Sequence, residues 1–455
     1  MRLSHAKIES LRWHPLNAFS IMRLAVAVPL LLLLLWAQRY WFLRFWRFAH
    51  RIKSAIPRRI ARGLIISGFG MVAAALLAAF FSGRRDMVWR FSGMMGVIGL
   101  WVTTAFLSWV VISLVSGMRL IGRRARRLFA RVSLAAGSSG QSPLSALPDD
   151  VRLDRRRFVQ AATALAGAIP FGAGAYGFLI GRHDYRVQQI DLPISGLPRE
   201  LDGLRIAQIS DIHIGSYMSA AEVRRAVGLA NDLEPDLSVV TGDFITGRND
   251  PLETCISELA RLKAPLGVWG CNGNHEIYAD AQENAAELFA EHGMKLLRQE
   301  NAEIGWRGGK FNLIGVDYQL SRSFRGRRAI MLAHTDLLVR RDMPNILLSH
   351  NPNSFPRASE LGIELMLTGH THGGQVRVEI LDHRFSPAQF LTPYIAGLYK
   401  RPLGGASALD DQELWSAMPS APAALVYVNR GLGTIGAPVR LGVPPEISLL
   451  TLRCA

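Results

Sequence analysis

The sequence predicts a chain in two parts: an all-α transmembrane region of about four helices over residues 1–182, then an α/β domain over residues 183–455. Three observations predict it. Apolar residues make up 49% of the chain and charged residues only 19%, which excludes disordered, fibrous and collagen-like polymers and points to segments buried in lipid. Charge is unevenly spread: residues 1–182 carry 26 Lys and Arg against 5 Asp and Glu, whereas residues 183–455 carry 26 against 31. From His183 onward short β-like runs alternate with helical ones over a stretch long enough to bury a sizeable core.

Four uncharged apolar stretches are candidates for bilayer-crossing helices, which need roughly 17–25 residues. The first, 24–38, centres on Leu30–Leu35 and lies between Arg23 and Arg39, both placed to snorkel to the interface. The others are 64–82, 91–118 and the Ala/Gly-rich 158–181. Two connections are strongly basic, with eight Lys or Arg from Arg39 to Arg62 and ten from Arg119 to Arg157. The positive-inside rule puts both in the cytoplasm. The chain is then expected to be a multi-pass protein of the inner or plasma membrane, its α/β domain on the outer face. Ser133–Pro148 reads as a flexible linker within the second basic connection. Asp154-Arg155-Arg156-Arg157-Phe158-Val159-Gln160 resembles a twin-arginine export signal, or simply anchors a helix on the cytoplasmic side; both send the domain outward.

With the positive charge gathered around the hydrophobic runs, the expected partner is the lipid bilayer and not nucleic acid. No acidic residue lies inside the candidate helices and no inverted repeat is visible, so an anchor fits better than a transporter. Cys255, Cys271 and Cys454 fit neither a disulfide framework nor a zinc motif.

Within the second part, five strand-like runs each end in metal-binding residue types. Leu204–Ser210 leads into Asp211-Ile212-His213, and Leu237–Thr241 into Gly242-Asp243. Gly267–Cys271 precedes Gly273-Asn274-His275-Glu276, and Asn345–Ser349 ends at His350. Glu364–Thr368 runs into Gly369-His370-Thr371-His372-Gly373-Gly374. In extended chain, alternate side chains share a face, so Asp211 and His213 can converge on one ion, and His370 and His372 can point the same way. Asp-x-His and Gly-Asp are common by chance; the weight rests on all five occurring in order, at the strand ends where α/β proteins assemble their sites.

Two aspartates, an asparagine and four histidines form a mixed donor set suited to Mn, Fe, Zn or Co, with Mn favoured. Seven donors exceed one tetrahedral ion and suffice for two that share a carboxylate. Such a pair clamps the attacking and leaving oxygens of an in-line displacement.

These motifs resemble the calcineurin-like metallophosphoesterases, in particular the membrane-associated branch that includes the YkuE-type proteins, over roughly Leu192–Leu452. The resemblance implies a four-layer αββα sandwich. By position, Asp211, His213 and His372 would bind the first metal and Asn274, His350 and His370 the second, with Asp243 bridging. It also implies that His275 contacts the phosphoryl group or protonates the leaving oxygen. Gly315-Val316-Asp317, Asn429-Arg430-Gly431-Leu432-Gly433 and Arg440-Leu441-Gly442-Val443-Pro444-Pro445-Glu446 also look like this branch, or are turns closing the sheet. Phosphoprotein phosphatases carry an arginine in the pattern Gly-Asp-x-x-Asp-Arg-Gly, and Gly242–Arg248 lacks that arrangement. The expected activity is hydrolysis of a phosphoric ester or anhydride, on a phosphorylated lipid or envelope polymer. Two alternatives are a cytoplasm-facing UDP-2,3-diacylglucosamine diphosphatase of lipid A synthesis and a membrane scaffold with a vestigial metal site.

Overall fold

The computed structural model describes residues 18–81, 92–135, 149–319, 331–380, 383–390, 392–408, 411–418 and 420–455. It divides into two compact units, residues 1–84 with 101–171, and residues 85–100 with 172–455. Four long helices come first: α1 (Ala18–His50), α2 (Ala55–Phe81), α3 (Ser92–Ala135) and α4 (Asp149–Leu179). Among the described residues, three stretches are long and apolar enough to cross a membrane, Ala55–Ala78, Gly93–Gly122 and Arg157–His183. The segment expected at 24–38 is helical within α1, but side chains before residue 28 are outside the described set, and α1 is not among those three stretches. Residues 82 and 91, expected at segment ends, lie outside the described residues, as do 136–148 of the expected linker. Residues 133–135 of that linker close α3 instead, and the arginine run 155–157 is helical within α4.

In the first unit the polar atoms turn inward and large aliphatic side chains outward. Trp101 donates its indole N–H to Gln38 Oε1 at 2.9 Å, and Trp41 donates to the Ala105 carbonyl at 2.9 Å. Leu32, Ile60, Leu64 and Leu114 are exposed. This suits helices whose outer surface meets lipid, where interhelical hydrogen bonds and close packing hold the bundle.

The second unit is built on two six-stranded mixed sheets. The first contains β1 (Arg186–Ile194), β2 (Arg205–Ile209), β3 (Leu237–Thr241), β4 (Val268–Cys271), β5 (Lys295–Leu296) and β14 (Glu446–Cys454). The second contains β6 (Glu300–Trp306), β7 (Gly309–Val316), β8 (Asn345–Ser349), β9 (Leu365–Thr368), β12 (Gly397–Pro402) and β13 (Ala423–Val428). Their orders are β1-β14-β2-β3-β4-β5 and β12-β13-β9-β8-β7-β6. β10 (Val378–Ile380) and β11 (His383–Phe385) form a separate hairpin.

Strand alternation builds the layers. In β8, Ile346 and Leu348 enter the core between the sheets with Ile206, Val239 and Trp269 of the first sheet, while Leu347 faces the opposite way. That outer face packs with Met366 and Val426 against Phe355 and Ala358 of α8 (Phe355–Glu360). On the outside of the first sheet, Val240 packs with Val223 and Val227 of α5 (Ala220–Asn231) and with Cys255 and Ile256 of α6 (Leu252–Leu259). These are the four αββα layers expected from the resemblance. The parallel strands β2, β3 and β4 end on one side of the first sheet and β8 and β9 on one side of the second, so the loops carrying the donor residues converge.

Candidate metal centre

All seven sequence-predicted donors are placed on those loops, and six of them fall into two interlocking groups. Asp211, His213, Asp243 and His372 have donor atoms within 4.8 Å of one another, and so do Asp243, His350 and His370. Asp243 belongs to both. Its Oδ2 lies 3.4 Å from His213 Nε2 and 3.1 Å from His350 Nε2. His372 Nε2 is 3.4 Å from Asp211 Oδ1 and 3.2 Å from His213 Nε2. The seventh, Asn274, opens α7 (Asn274–Ala279), and its side-chain oxygen is buried without a hydrogen-bond partner. An orphaned buried carbonyl oxygen is costly, and an oxygen ligand for a hard or borderline cation is one way to satisfy it.

Strand alternation is not what brings the paired donors together. β2 ends at Ile209, and Asp211 and His213 then take left-handed backbone conformations, φ 50° and 51°. Asp243 (φ 56°), His370 (φ 75°) and His372 (φ 52°) do the same. The convergence comes from successive sharp turns and not from an extended face, which corrects the sequence-based geometry. The turns of the first sheet are zipped together: Asp211 N–H donates to the Gly242 carbonyl at 3.0 Å and His213 N–H to the Asp243 carbonyl at 3.0 Å. Two glycines permit the crowding. A Cβ on Gly273 would run into Asp243, and one on Gly431, which sits at φ 69°, would come within 2.5 Å of Asp211 Cβ.

The imidazoles are oriented from behind. The Nδ1 atoms of His213, His350 and His275 lie 3.0, 2.6 and 2.7 Å from the carbonyls of Ile245, Thr241 and Thr246. An Nδ1–H donated to a carbonyl leaves Nε2 with its lone pair, the tautomer a metal needs. Electrostatics favour the same state. Burial pushes His213 down to about 3, His370 down to about 4 and His372 well below the usual range, so these imidazoles are neutral. His350 differs. Burial pulls it down, but Asp243 and Asp211 outweigh that and lift it to about 10. Burial raises Asp211 to about 6, whereas His350 and His275 overcome the burial of Asp243 and hold it well below the carboxylate range. A buried anionic carboxylate between imidazoles is the electrostatic complement of bound cations.

His275 stacks edge-on to His213 with ring centroids 4.8 Å apart, beside the donors but outside both groups. Four further residues were not singled out as site residues by sequence reasoning. Glu276 is fully buried and accepts backbone N–H bonds from Asp243 (2.9 Å), Phe244 (2.8 Å), Ile245 (3.3 Å) and Gly273 (2.8 Å). Asp317 accepts from Asn272 at 2.8 Å and from Arg298 at 2.9 Å, which braces the loop leading to Asn274. Tyr278 and Tyr318 form an aromatic rim, with ring centroids 5.9 Å from His275 and 5.4 Å from His370 respectively. Only Glu276 and Asp317 had a sequence signal, their place in two of the quoted motifs.

Residues 204–374 match the family model for calcineurin-like phosphoesterase. The chain is 26% identical over 413 residues to the transmembrane protein with metallophosphoesterase domain of Danio rerio, covering 89% of this chain and 83% of the relative. It is 26% identical over 308 residues to the uncharacterized metallophosphoesterase YkuE of Bacillus subtilis (strain 168), covering 66% of this chain and 98% of that protein. A third relative is the UDP-2,3-diacylglucosamine pyrophosphatase LpxG of Chlamydia trachomatis serovar D, 26% identical over 301 residues, 56% of this chain and 84% of that one. The buried Asp/His cluster at the strand ends of a two-sheet sandwich lies within residues 204–374, the stretch that matches the calcineurin-like phosphoesterase model, and together with these relatives it supports a metal-dependent phosphoesterase.

Proposed function

We propose that the chain is a membrane-anchored phosphoesterase that hydrolyses a phosphoric ester or anhydride carried by a lipid or an envelope polymer. The observation that supports it most is Asp243, shared between two donor groups. Asp211, His213 and His372 would hold one divalent ion, Asn274, His350 and His370 a second, and Asp243 would bridge them. Mixed imidazole and oxygen donors favour Mn, with Fe, Zn and Co as the other choices. Two such ions supply Lewis acidity that activates water and neutralises phosphoryl charge.

The chain's own residues do the remaining work. Glu276 holds the Asp243 loop rigid, and the carbonyls behind His213 and His350 fix their rings. In its doubly protonated form His275 keeps Nδ1–H on the Thr246 carbonyl and gives its Nε2 proton to the departing oxygen, ending as the neutral ring with its lone pair on Nε2. General acid catalysis of this kind contributes about 10²–10⁴-fold.

The substrate class follows from charge and tethering. The domain region carries a slight excess of acidic residues, which suits it poorly to long polyanions bound through basic patches. An amphiphile held at the bilayer needs no such patch. The outer face of the inner or plasma membrane is the side the basic connections favour. The match to LpxG supports a second reading, a cytoplasm-facing diphosphatase acting on a UDP-linked acylated sugar.

The test is hydrolysis of bis-p-nitrophenyl phosphate by the purified full chain with Mn²⁺. Asp243→Asn and His372→Ala are expected to abolish metal-dependent release. Wild-type rates in either variant, with metal supplied, would rule the site out.

A further inference from the structure

Arg440 is almost completely buried, at 1% exposure, and its guanidinium is spent mainly on main-chain carbonyls, with one further contact of 3.5 Å to His372 Nδ1. It donates to Arg430 O at 2.8 Å, Gly431 O at 3.0 Å, Gly433 O at 3.0 Å and His372 O at 3.3 Å. The 430–433 loop it gathers is in turn bonded to the start of the first donor motif: Leu432 N–H donates to Ser210 O at 3.0 Å and Gly433 N–H to Asp211 O at 2.7 Å. One side chain therefore ties the backbone of His372 to the backbone of Asp211. Both belong to the donor group that also holds His213, and neither belongs to the group of His350 and His370.

The backbone of Arg440 is anchored elsewhere. Its N–H donates to the Gly177 carbonyl in the last turns of α4 at 3.2 Å. Gly177 and Gly181 lie four residues apart, and the 439–440 backbone rests directly on them. A Cβ on Gly177 would meet Val439 and, at 3.0 Å, the Arg440 carbonyl; one on Gly181 would run into the same carbonyl. Small residues at this spacing are what membrane helices use to let another backbone approach closely. All of these residues lie in the second compact unit, and both glycines fall within the candidate span Arg157–His183.

We infer that Arg440 is a positioning residue that couples the seating of the α4 terminus to the first metal position, so that the Asp211/His213/His372 set is held in shape only while the helix end is docked. This rests on the two-metal reading above. The second position, on Asn274, His350 and His370, has supports of its own in α7 and in the Thr241 carbonyl behind His350, and it meets the clamped set through the shared Asp243 and through the His370 N–H, which donates to the Asp211 carboxylate at 2.9 and 3.0 Å.

The experiment uses the full chain in detergent micelles, stripped with chelator and titrated with Mn²⁺, with binding read by calorimetry and by electron paramagnetic resonance. Wild type is expected to bind two ions with the signal of an exchange-coupled pair. Gly177→Leu, which unseats the loop, and Arg440→Lys, which keeps the charge but loses the fork, are expected to weaken one site about 10–100-fold, the usual cost of losing a supporting partner. The other site is expected to weaken far less, and the coupled signal gives way to that of an isolated ion. Gly172→Leu is the control on the same helix, because a Cβ there meets nothing within 4 Å; it should bind as wild type does. Two unaltered sites in both variants, or equal weakening of both sites, overturns the coupling. If Gly177→Leu does not fold, Arg440→Lys decides alone. Fewer than two ions on wild type would instead overturn the two-metal reading itself.

Discussion

Glu276 has four backbone donors around one buried carboxylate, two on each oxygen. Burial raises this carboxyl to about 7, Asp243 adds to the rise, and the N–H groups of Gly273 and Ile245 pull the other way. Replacement by Gln turns an NH₂ group towards two donors and leaves them unsatisfied in the interior. Glu276→Gln is expected to cost roughly 2–4 kcal/mol of stability. It should also lower turnover by about 10²-fold, because the bridging aspartate loses its mould. Thermal unfolding and kcat on the same preparation check this; an unchanged Tm with full turnover removes the role. The contrast with the donors shows what a sequence displays at residue scale. Asp211, His213, Asp243, His370 and His372 announce themselves by chemical type and glycine neighbours. Their left-handed backbone, worth about 1–3 kcal/mol of strain apiece, does not, because Asp and His enter that region without the glycine that would flag it. Glu276 and Arg440 sit in quoted motifs, but their roles stay hidden for a different reason: their partners are mostly main-chain atoms, which carry no residue signature.

At the scale of elements, the strands bearing the site were legible because each is a short apolar run stopped by glycine and polar residues. β2, β3, β8 and β9 fall within a residue or so of the runs read as strands. Sheet order was not legible. β14 lies parallel to β1 and antiparallel to β2, closing the first sheet with a strand from the far end of the chain, and pairing at such separation leaves no local pattern to read. The helix flanking β2 and β3 can be tested separately from the chemistry. Ser219 caps α5 in a capping box with Glu222, accepting its N–H at 3.3 Å while the glutamate accepts Ser219 N–H at 2.7 Å. Ser219→Ala is expected to lose about 1 kcal/mol and to leave turnover unchanged, since Ser219 is exposed and belongs to neither donor group. A fall in kcat at temperatures where the variant is fully folded would mean that α5 influences the site directly.

At the scale of the whole molecule, the unequal distribution of charge sets the expected topology. The net positive charge of the chain comes from residues 1–182, and the connection just before the last apolar helix, Arg119–Arg157, holds ten Lys or Arg. Short loops with that excess resist translocation, because orientation follows Lys and Arg near the helix ends. With that connection in the cytoplasm, as the rule leads one to expect, the direction of the α/β domain would follow from whether the Arg157–His183 stretch crosses, whether or not α1 crosses as well. A reporter fused after residue 182 tests this in a bacterial host. Alkaline phosphatase, which needs an oxidising compartment, is expected to be active there and a cytoplasmic fluorescent reporter dark. The reverse pattern would place the site in the cytoplasm, remove the envelope substrates and favour the UDP-sugar reading. Neutralising the Arg155–Arg157 run in the same fusion should reduce the outward fraction, since those arginines flank the apolar stretch on the retained side. If the fraction does not change, orientation is fixed by the earlier helices.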